Sequence, residues 1–265
     1  MRILLVTGNH PRHGFIARSI AATGWLCGLV IEKREAFVPE PPPALPSASR
    51  ELFNRHFAGR ERSESRFFST SLYRPEEIPT LEVTSAEING QEVQRFLLAA
   101  KPDLLLSYGI QKLSDAVLAS VEGLRWNIHG GLSPWYRGVI THFWPSYFLE
   151  PQMTGMTVHE LTTAIDGGDI IHQVVAPLVA GDGLHDLACR AVTALGDELP
   201  ELLAITYNHK LAPPAKQRTT GRIWRALDWR PEHLHVIYNV FNNRIVDHYL
   251  AGDFATAAPK VVRQF

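Results

Sequence analysis

Ile3-Leu4-Leu5-Val6-Thr7, closed by Gly8-Asn9, and Cys27-Gly28-Leu29-Val30-Ile31 are two short, mostly apolar runs near the start of the chain. Between them, from about His13 to Thr23, the apolar residues recur at helical spacing. A short apolar run bounded by turn residues is how a strand buried on both faces reads. Strand, helix and strand in this order make a βαβ unit, and a βαβ unit predicts a parallel sheet.

The alternation continues down the chain. After Pro39, Pro41, Pro42, Pro43 and Pro46, which mark an extended surface connection, Arg50 to Ser65 reads as a charged helix. A strand at Leu81–Val83, a helix from Gly90 to Ala100, a strand at Asp103–Ser107, a helix at Asp115–Ser120 and a strand at Arg125–His129 follow. Thr141 to Leu149 is aromatic-rich and expected to be helical, although Pro145 weakens its first turn. Met156–Leu161 and Ile170–Leu178 read as two more strands, and His185 to Tyr207 as a long helix. The fold class expected is therefore α/β, a mostly parallel twisted sheet flanked by helices. Residues 1–208 would form the main domain, and 209–265, where periodicity weakens, an appendage.

Composition narrows the class of partner. The chain has 265 residues, 45% hydrophobic and 20% charged, the mix of a soluble globular protein. A net charge of −1 argues against a protein that coats nucleic acid or anionic membrane. The opening apolar run is too short for a signal-peptide core, and no stretch approaches the ~20 apolar residues of a membrane helix. Cys27 and Cys189 are the two cysteines, too few for a disulfide framework and suited to a reducing cytoplasm, the expected location. The 12 histidines invite a metal, but no metal-binding spacing is present. His159, His172 and His185 read as structural or surface residues.

The chemistry concentrates in Asn127-Ile128-His129-Gly130-Gly131-Leu132-Ser133-Pro134-Trp135-Tyr136-Arg137-Gly138. Strand alternation sends Asn127 and His129 to one side. They stand at the strand's C-terminal end, where open α/β sheets form ligand crevices. Ile165-Asp166-Gly167-Gly168 places an acid on a turn entering the next strand. An amide, an imidazole and a carboxylate meeting in one crevice suit acyl transfer to an amine. Taken singly, Asn-x-His and Asp-Gly-Gly are more often structural; their joint occurrence on an alternating α/β chain is what points to a site. Gly8-Asn9-His10-Pro11-Arg12 follows the first strand without dinucleotide-binding spacing, though Arg12 could meet a substrate phosphate.

The same residues resemble the folate-dependent formyltransferase family, which includes glycinamide ribonucleotide, methionyl-tRNA and sugar-nucleotide formyltransferases. The family pattern is Asn-x-His, a Leu-x-Pro loop ending in glycine, and an Asp in a Leu/Ile-Asp-x-Gly turn. It is matched by Asn127, His129, Leu132-Ser133-Pro134, Arg137-Gly138 and Ile165-Asp166-Gly167-Gly168, and Thr154 to His159 looks like its preceding strand. The resemblance implies a Rossmann-like core and Asn127, His129 and Asp166 as catalytic residues. The donor it implies is 10-formyltetrahydrofolate, lying against Tyr108, Gly109, Ile110 and Leu113 and against Thr163 and Ile165. The acceptor would meet Gly131, Ser133, Trp135, Tyr136 and Arg137, with Arg12 beyond.

Among acceptors, the loop from Gly131 to Gly138 most resembles that of the sugar-nucleotide enzymes. The resemblance then implies an amino-dideoxy sugar on a nucleoside diphosphate, such as GDP-perosamine or a dTDP-4-amino-4,6-dideoxy sugar, used for O-antigen and lipopolysaccharide. Methionyl-tRNA and glycinamide ribonucleotide are the alternatives, as is a folate- or nucleotide-binding protein without catalysis. The segment from Lys210 carries nine Lys/Arg against four Asp/Glu, with Trp224, Trp229 and Tyr238 among them. It is expected either to meet the nucleotide or to serve as core or as a contact with a second subunit.

Overall fold

In a computed structural model, residues 1–33, 38–69, 73–162, 164–218, 221–254 and 257–265 are described. β1 (Ile3–Gly8), α1 (Pro11–Ala21) and β2 (Leu26–Lys33) form the opening βαβ unit. Pro11 sits in the first turn of α1, where its missing N–H costs no hydrogen bond and its fixed φ suits the helix. The proline-rich stretch 39–46 carries neither helix nor strand and leads into α2 (Ser47–Phe68). Then come β3 (Thr80–Thr84), α3 (Gln91–Ala100), β4 (Leu104–Tyr108), α4 (Asp115–Leu118) and β5 (Leu124–His129). β6 (Tyr136–Gly138), α5 (Trp144–Tyr147), β7 (Gly155–Glu160), β8 (Ile170–Val175) and α6 (Leu184–Tyr207) complete the part ending at residue 208. β9 (Arg222–Trp224) and α7 (Ile245–Leu250) lie beyond.

Seven strands form one sheet in the order β3-β2-β1-β4-β5-β7-β8. The first five run parallel, and β7 and β8 add antiparallel at one edge. This is the Rossmann-like arrangement, with its topological switch between β1 and β4, so a crevice opens at the C-terminal ends of these strands. All six residues of β1 and all five of β4 are buried, as parallel strands covered on both faces must be. On one face α1 and α6 pack through Ile16, Ile20, Leu187, Leu195 and Leu199; on the other, α3 and α4 pack through Val93, Leu97 and Val117.

Several expected elements end differently: α1 spans Pro11–Ala21 rather than His13 to Thr23, α2 Ser47–Phe68 rather than Arg50 to Ser65, and α4 stops at Leu118 rather than Ser120. The segment expected to be helical from Thr141 to Leu149 is helix over Trp144–Tyr147 alone. Ile140 and Leu149 both take positive φ (60° and 61°), which closes the helical path on either side. β8 stops at Val175 rather than Leu178.

Residues after 208 build a third core together with residues before it. Trp224, Leu234, Ile237, Tyr238 and Ile245 are buried with Leu52, Tyr136, Phe143, Trp144 and Leu184. The Trp224 and Trp144 rings stack at 4.1 Å. β9 pairs with β6, and the last residues run along β8, where the Gln173 N–H donates to Val262 O at 2.7 Å. Trp224→Ala is therefore expected to lower stability by about 3–5 kcal/mol. A chain cut after Pro213 is expected to lose cooperative unfolding altogether. Thermal and urea denaturation followed by circular dichroism check both; a truncated chain that melts like the whole would refute this shared core.

Candidate active site

β5 delivers Asn127 and His129 to the crevice, and the turn before β8 delivers Asp166. Asp166 takes a left-handed φ of 43°, which aims its carboxylate back beneath the loop 130–138. The side chain is 14% exposed and gathers four groups. The Gly138 N–H donates to Oδ2 at 2.7 Å, and His129 Nδ1 stands 3.5 Å from the same oxygen. His159 Nε2 and Asn127 Nδ2 both lie 3.4 Å from Oδ1.

Asn127 is fixed from both ends. Ser107 Oγ donates to its Oδ1 at 2.7 Å, which turns Nδ2 toward His159 Nε2, 3.1 Å away. His159 Nδ1 donates to the Glu160 carbonyl at 2.8 Å, so a neutral His159 accepts from Asn127. His129 Nε2 lies 2.7 Å from the Tyr136 carbonyl, which can only accept. Nε2 therefore carries the proton, and Nδ1 faces Asp166. The ring's orientation is set by the shorter of its two contacts, the one to the Tyr136 carbonyl.

The electrostatics follow from burial and pairing. Burial alone would raise the Asp166 pKa, but the His129 charge, the hydrogen bond and charge of His159, and the Gly138 N–H outweigh it and hold the group down to about 2. Asp166 is therefore a carboxylate at any physiological pH. Burial pushes the His129 pKa below its ordinary value, against the opposing pull of Asp166. Near neutral pH His129 is thus an uncharged imidazole with a free Nδ1 lone pair beside a fixed negative charge. That is the state of a general base whose conjugate acid is stabilised in advance.

A cavity of about 550 Å³ opens on this group, within the size range of small-molecule sites. Tyr108, Gly109, Ile110 and Arg12 line it together with Asn127, His129 and Asp166. Gly109 takes φ 65°, a conformation that costs glycine nothing, and turns the chain sharply off the end of β4. Other expected contacts lie elsewhere. Leu113 is buried among the side chains of α3 and α4, because the chain has turned back to the sheet by then. Ile165 is 52% exposed on the outside of its turn. Ser133 is fully buried and anchors the loop to β7 and β8 through Thr157 and Gln173, while Gly131 contributes its carbonyl to Thr157. The Tyr136 hydroxyl points away from the cavity and donates to Glu150 at 2.7 Å. Arg137 is buried outside the cavity lining, and Trp135 is 37% exposed on the loop. Arg12, expected to meet a substrate phosphate, lines the cavity while ion-paired with Glu64 of α2. Thr163 lies outside the described residues.

His159, by its sequence a structural or surface residue, is 2% exposed and belongs to the cluster. Its signal is non-local: the antiparallel register of β5 and β7 sets Asn127 opposite His159. Gln217, beyond α6, was also missed; its Nε2 donates to the carbonyls of Asp166 at 2.9 Å and Gly168 at 2.6 Å and so holds the turn. Among the described residues no group of three or more His, Cys, Asp or Glu could hold a metal ion, and no helix is long and apolar enough to cross a membrane.

A family model described as formyl transferase matches residues 54–203 of this chain. Phosphoribosylglycinamide formyltransferase of Escherichia coli (strain K12) is 36% identical over 95 residues, which are 35% of this chain and 43% of that protein. The matched region thus spans less than half of that relative. A sugar N-formyltransferase from Shewanella sp FDAARGOS_354 superposes with a TM-score of 0.54 at 17% identity, covering 86% of this chain and 78% of the other. An N-formyltransferase from Helicobacter canadensis, solved with folinic acid and dTDP-3-aminofucose, gives a TM-score of 0.51 at 14% identity, covering 87% and 73%. At these identities the likeness to the two solved structures is one of fold.

The His129 ring is expected to be neutral at pH 7 with its proton on Nε2, as read from ¹⁵N chemical shifts of labelled protein. In Asp166→Asn its pKa should fall further, because the charge that opposes burial is gone. A ring still protonated at pH 7, or a pKa that rises in the variant, would overturn this account of the site.

Proposed function

The chain belongs to the formyl transferase family, and on that premise we propose that it moves a formyl group from 10-formyltetrahydrofolate to the amine of a nucleotide-linked amino-dideoxy sugar. The observation that carries the reading is the convergence of Asn127, His129 and Asp166, tied together by His159, in one cavity.

The acceptor amine attacks the formyl carbon, a new C–N bond forms, and the carbonyl oxygen gains the charge. Asn127 Nδ2 is the donor to that oxyanion; its 3.4 Å contact with Asp166 is long enough to be exchanged for a better one. His129 Nδ1 takes the proton that the amine loses, and Asp166 stabilises the imidazolium. When the tetrahedral intermediate collapses, the bond to N10 of the folate breaks. The proton held by His129 then satisfies the departing nitrogen, so the catalyst returns to its starting state. The half-exposed apolar residues Val139 and Ile140 at the cavity's edge suit a flat aromatic donor.

For the acceptor, the fold shared with the Shewanella and Helicobacter proteins supports an amino sugar on a nucleoside diphosphate, of the GDP-perosamine or dTDP-4-amino-4,6-dideoxy type used in O-antigen and lipopolysaccharide. The stretch shared with the Escherichia coli enzyme favours a second reading, phosphoribosylglycinamide. A turnover assay with 10-formyltetrahydrofolate against a panel of amino-sugar nucleotides and phosphoribosylglycinamide separates them. Binding of folate without turnover of any amine would point to a binding protein.

Two variants test the chemistry. His129→Asn is expected to lower kcat by ~10²–10⁴ with the fold intact; retention of a third of the activity would end its role as base. Asn127→Ala is expected to cost about 2.7–4 kcal/mol of transition-state stabilisation, seen in kcat, because the oxygen is charged only during reaction. A change confined to KM would make Asn127 a binding residue. As the base must be uncharged, kcat/KM should be flat near neutrality and fall as pH drops through the His129 pKa, below the ordinary 6.5.

A further inference from the structure

Beside the catalytic cavity lies a second cleft of about 450 Å³, between α2, the first turn of α6 and the segment that carries Tyr238 and Asn243. Arg55, Arg62 and Arg66 line it. They stand at i, i+7 and i+11 on α2, so one helix face presents all three along roughly 16 Å. A single carboxylate, Asp186, shares the cleft, and it is already held by Arg66 and by Ser63, both at 2.6 Å. Arg55 and Arg62 have no carboxylate partner among the described residues. Arg55 lies over the Tyr238 ring, 4.7 Å from its centroid. The 24-residue α6 directs its positive end at the same place.

A second feature points to a ligand. His185 is 9% exposed, and its Nε2 is buried with no hydrogen-bond partner among the described residues. A buried polar atom without a partner is costly and calls for a reason. The reason is adjacent: a Cβ at position 59 would stand 3.2 Å from His185 Cδ2 and 3.8 Å from Nε2. Glycine at 59 keeps that edge of the ring clear on the cleft side, and His185 also lines the catalytic cavity, so one imidazole forms a wall common to both.

We propose that this cleft binds the diphosphate of the acceptor, which rests on the reading of the enzyme as one that formylates a nucleotide-linked amine. Two unpaired guanidiniums and a helix N-terminus match two adjacent phosphates, and the span along α2 exceeds what one phosphate can meet. The His185 ring meets the His56 backbone and ring, so a solvated arginine face accounts for the charges but not for the one buried nitrogen, Nε2, that has no hydrogen-bond partner among the described residues, or for the glycine beside it. Several cations of the segment after Lys210, where the sequence placed this contact, are already paired. Lys216 pairs with Asp169, Arg222 with Asp228, Arg244 with Asp247 and Arg263 with Glu198.

Calorimetry on the full chain tests the proposal with three probes: inorganic pyrophosphate, a nucleoside diphosphate (GDP and dTDP in turn) and 5-formyltetrahydrofolate. In the double variant Arg55→Gln/Arg62→Gln, pyrophosphate and nucleoside diphosphate are expected to bind at least tenfold more weakly. Binding of 5-formyltetrahydrofolate should stay within twofold. Gly59→Leu, which fills the cleft without removing charge, is expected to weaken the phosphate probes similarly. In turnover, KM for the acceptor should rise while kcat is retained. The proposal is overturned if wild-type protein binds no diphosphate, if both variants bind it as wild type does, or if the double variant weakens the folate probe instead, which would assign the arginines to the folate's carboxylates. Wild-type protein that binds pyrophosphate but no 5-formyltetrahydrofolate would leave the cleft standing and overturn the transferase reading, so the two failures are distinct.

Discussion

A carboxylate that must stay ionised while 14% exposed organises this molecule. A buried charge is tolerated only when its surroundings offset it: Asp166 accepts from the Gly138 N–H and lies 3.4 Å from Asn127 Nδ2, and the rings of His129 and His159 pair with it when protonated. His129 and Asn127 come from β5, His159 from β7, and the Gly138 N–H from the end of β6. Each can reach Asp166 only if the antiparallel edge, the loop 130–138 and the turn 164–169 hold one mutual arrangement. The positive φ at Asp166 is a local cost that this network over-determines.

The segment beyond residue 208 takes part in that arrangement. β9 pairs with β6, and the Val139 N–H donates to Trp224 O at 2.9 Å, so the strand that carries Gly138 is held from outside. Gln217 grips the Asp166 turn through two carbonyls. Tyr238 lies 3.1 Å from His56 Nδ1 through its hydroxyl, and Asn243 accepts from the Leu184 N–H at the start of α6. Of the aromatic residues in this segment, Trp224 belongs to the shared core, while Trp229 also lines the catalytic cavity and Tyr238 the second cleft. Trp224 and Tyr238 are buried, and the Trp229 ring meets Phe53, Phe57 and Phe143 edge-on.

What the sequence disclosed follows from how local each signal is. β1, β2 and β4 were legible because a strand covered on both faces writes an unbroken apolar run. Asn127, His129 and Asp166 were legible because strand alternation and a glycine-rich turn are local patterns. His159 was not, since its role is decided by β5–β7 register across 32 residues. Nor was the engagement of Arg12, whose partner Glu64 lies 52 residues away on another helix. The stretch 141–149 misled for a different reason: its aromatic spacing imitates a helix, while Ile140 and Leu149 adopt backbone angles that sequence spacing does not encode. The pieces after Lys210 are too short for periodicity to register, β9 being three residues and α7 six.

Burial sets the protonation state of the histidines around the cavity, and their neighbours decide what each can do. His142 and His185 are pushed down to about 4 and about 3, chiefly by burial. Nearby arginines act in the same direction, so these rings stay uncharged through any physiological pH. His129 is desolvated as well, yet it alone among the three has a carboxylate 3.5 Å from its ring to receive a proton's charge. The cavity is thus walled by imidazoles that remain neutral and contains one that can gain a proton without isolating the charge. Selective protonation at His129 then requires no difference in side-chain type. It needs only the one carboxylate that the sheet edge, the loop and the segment after α6 combine to hold in place.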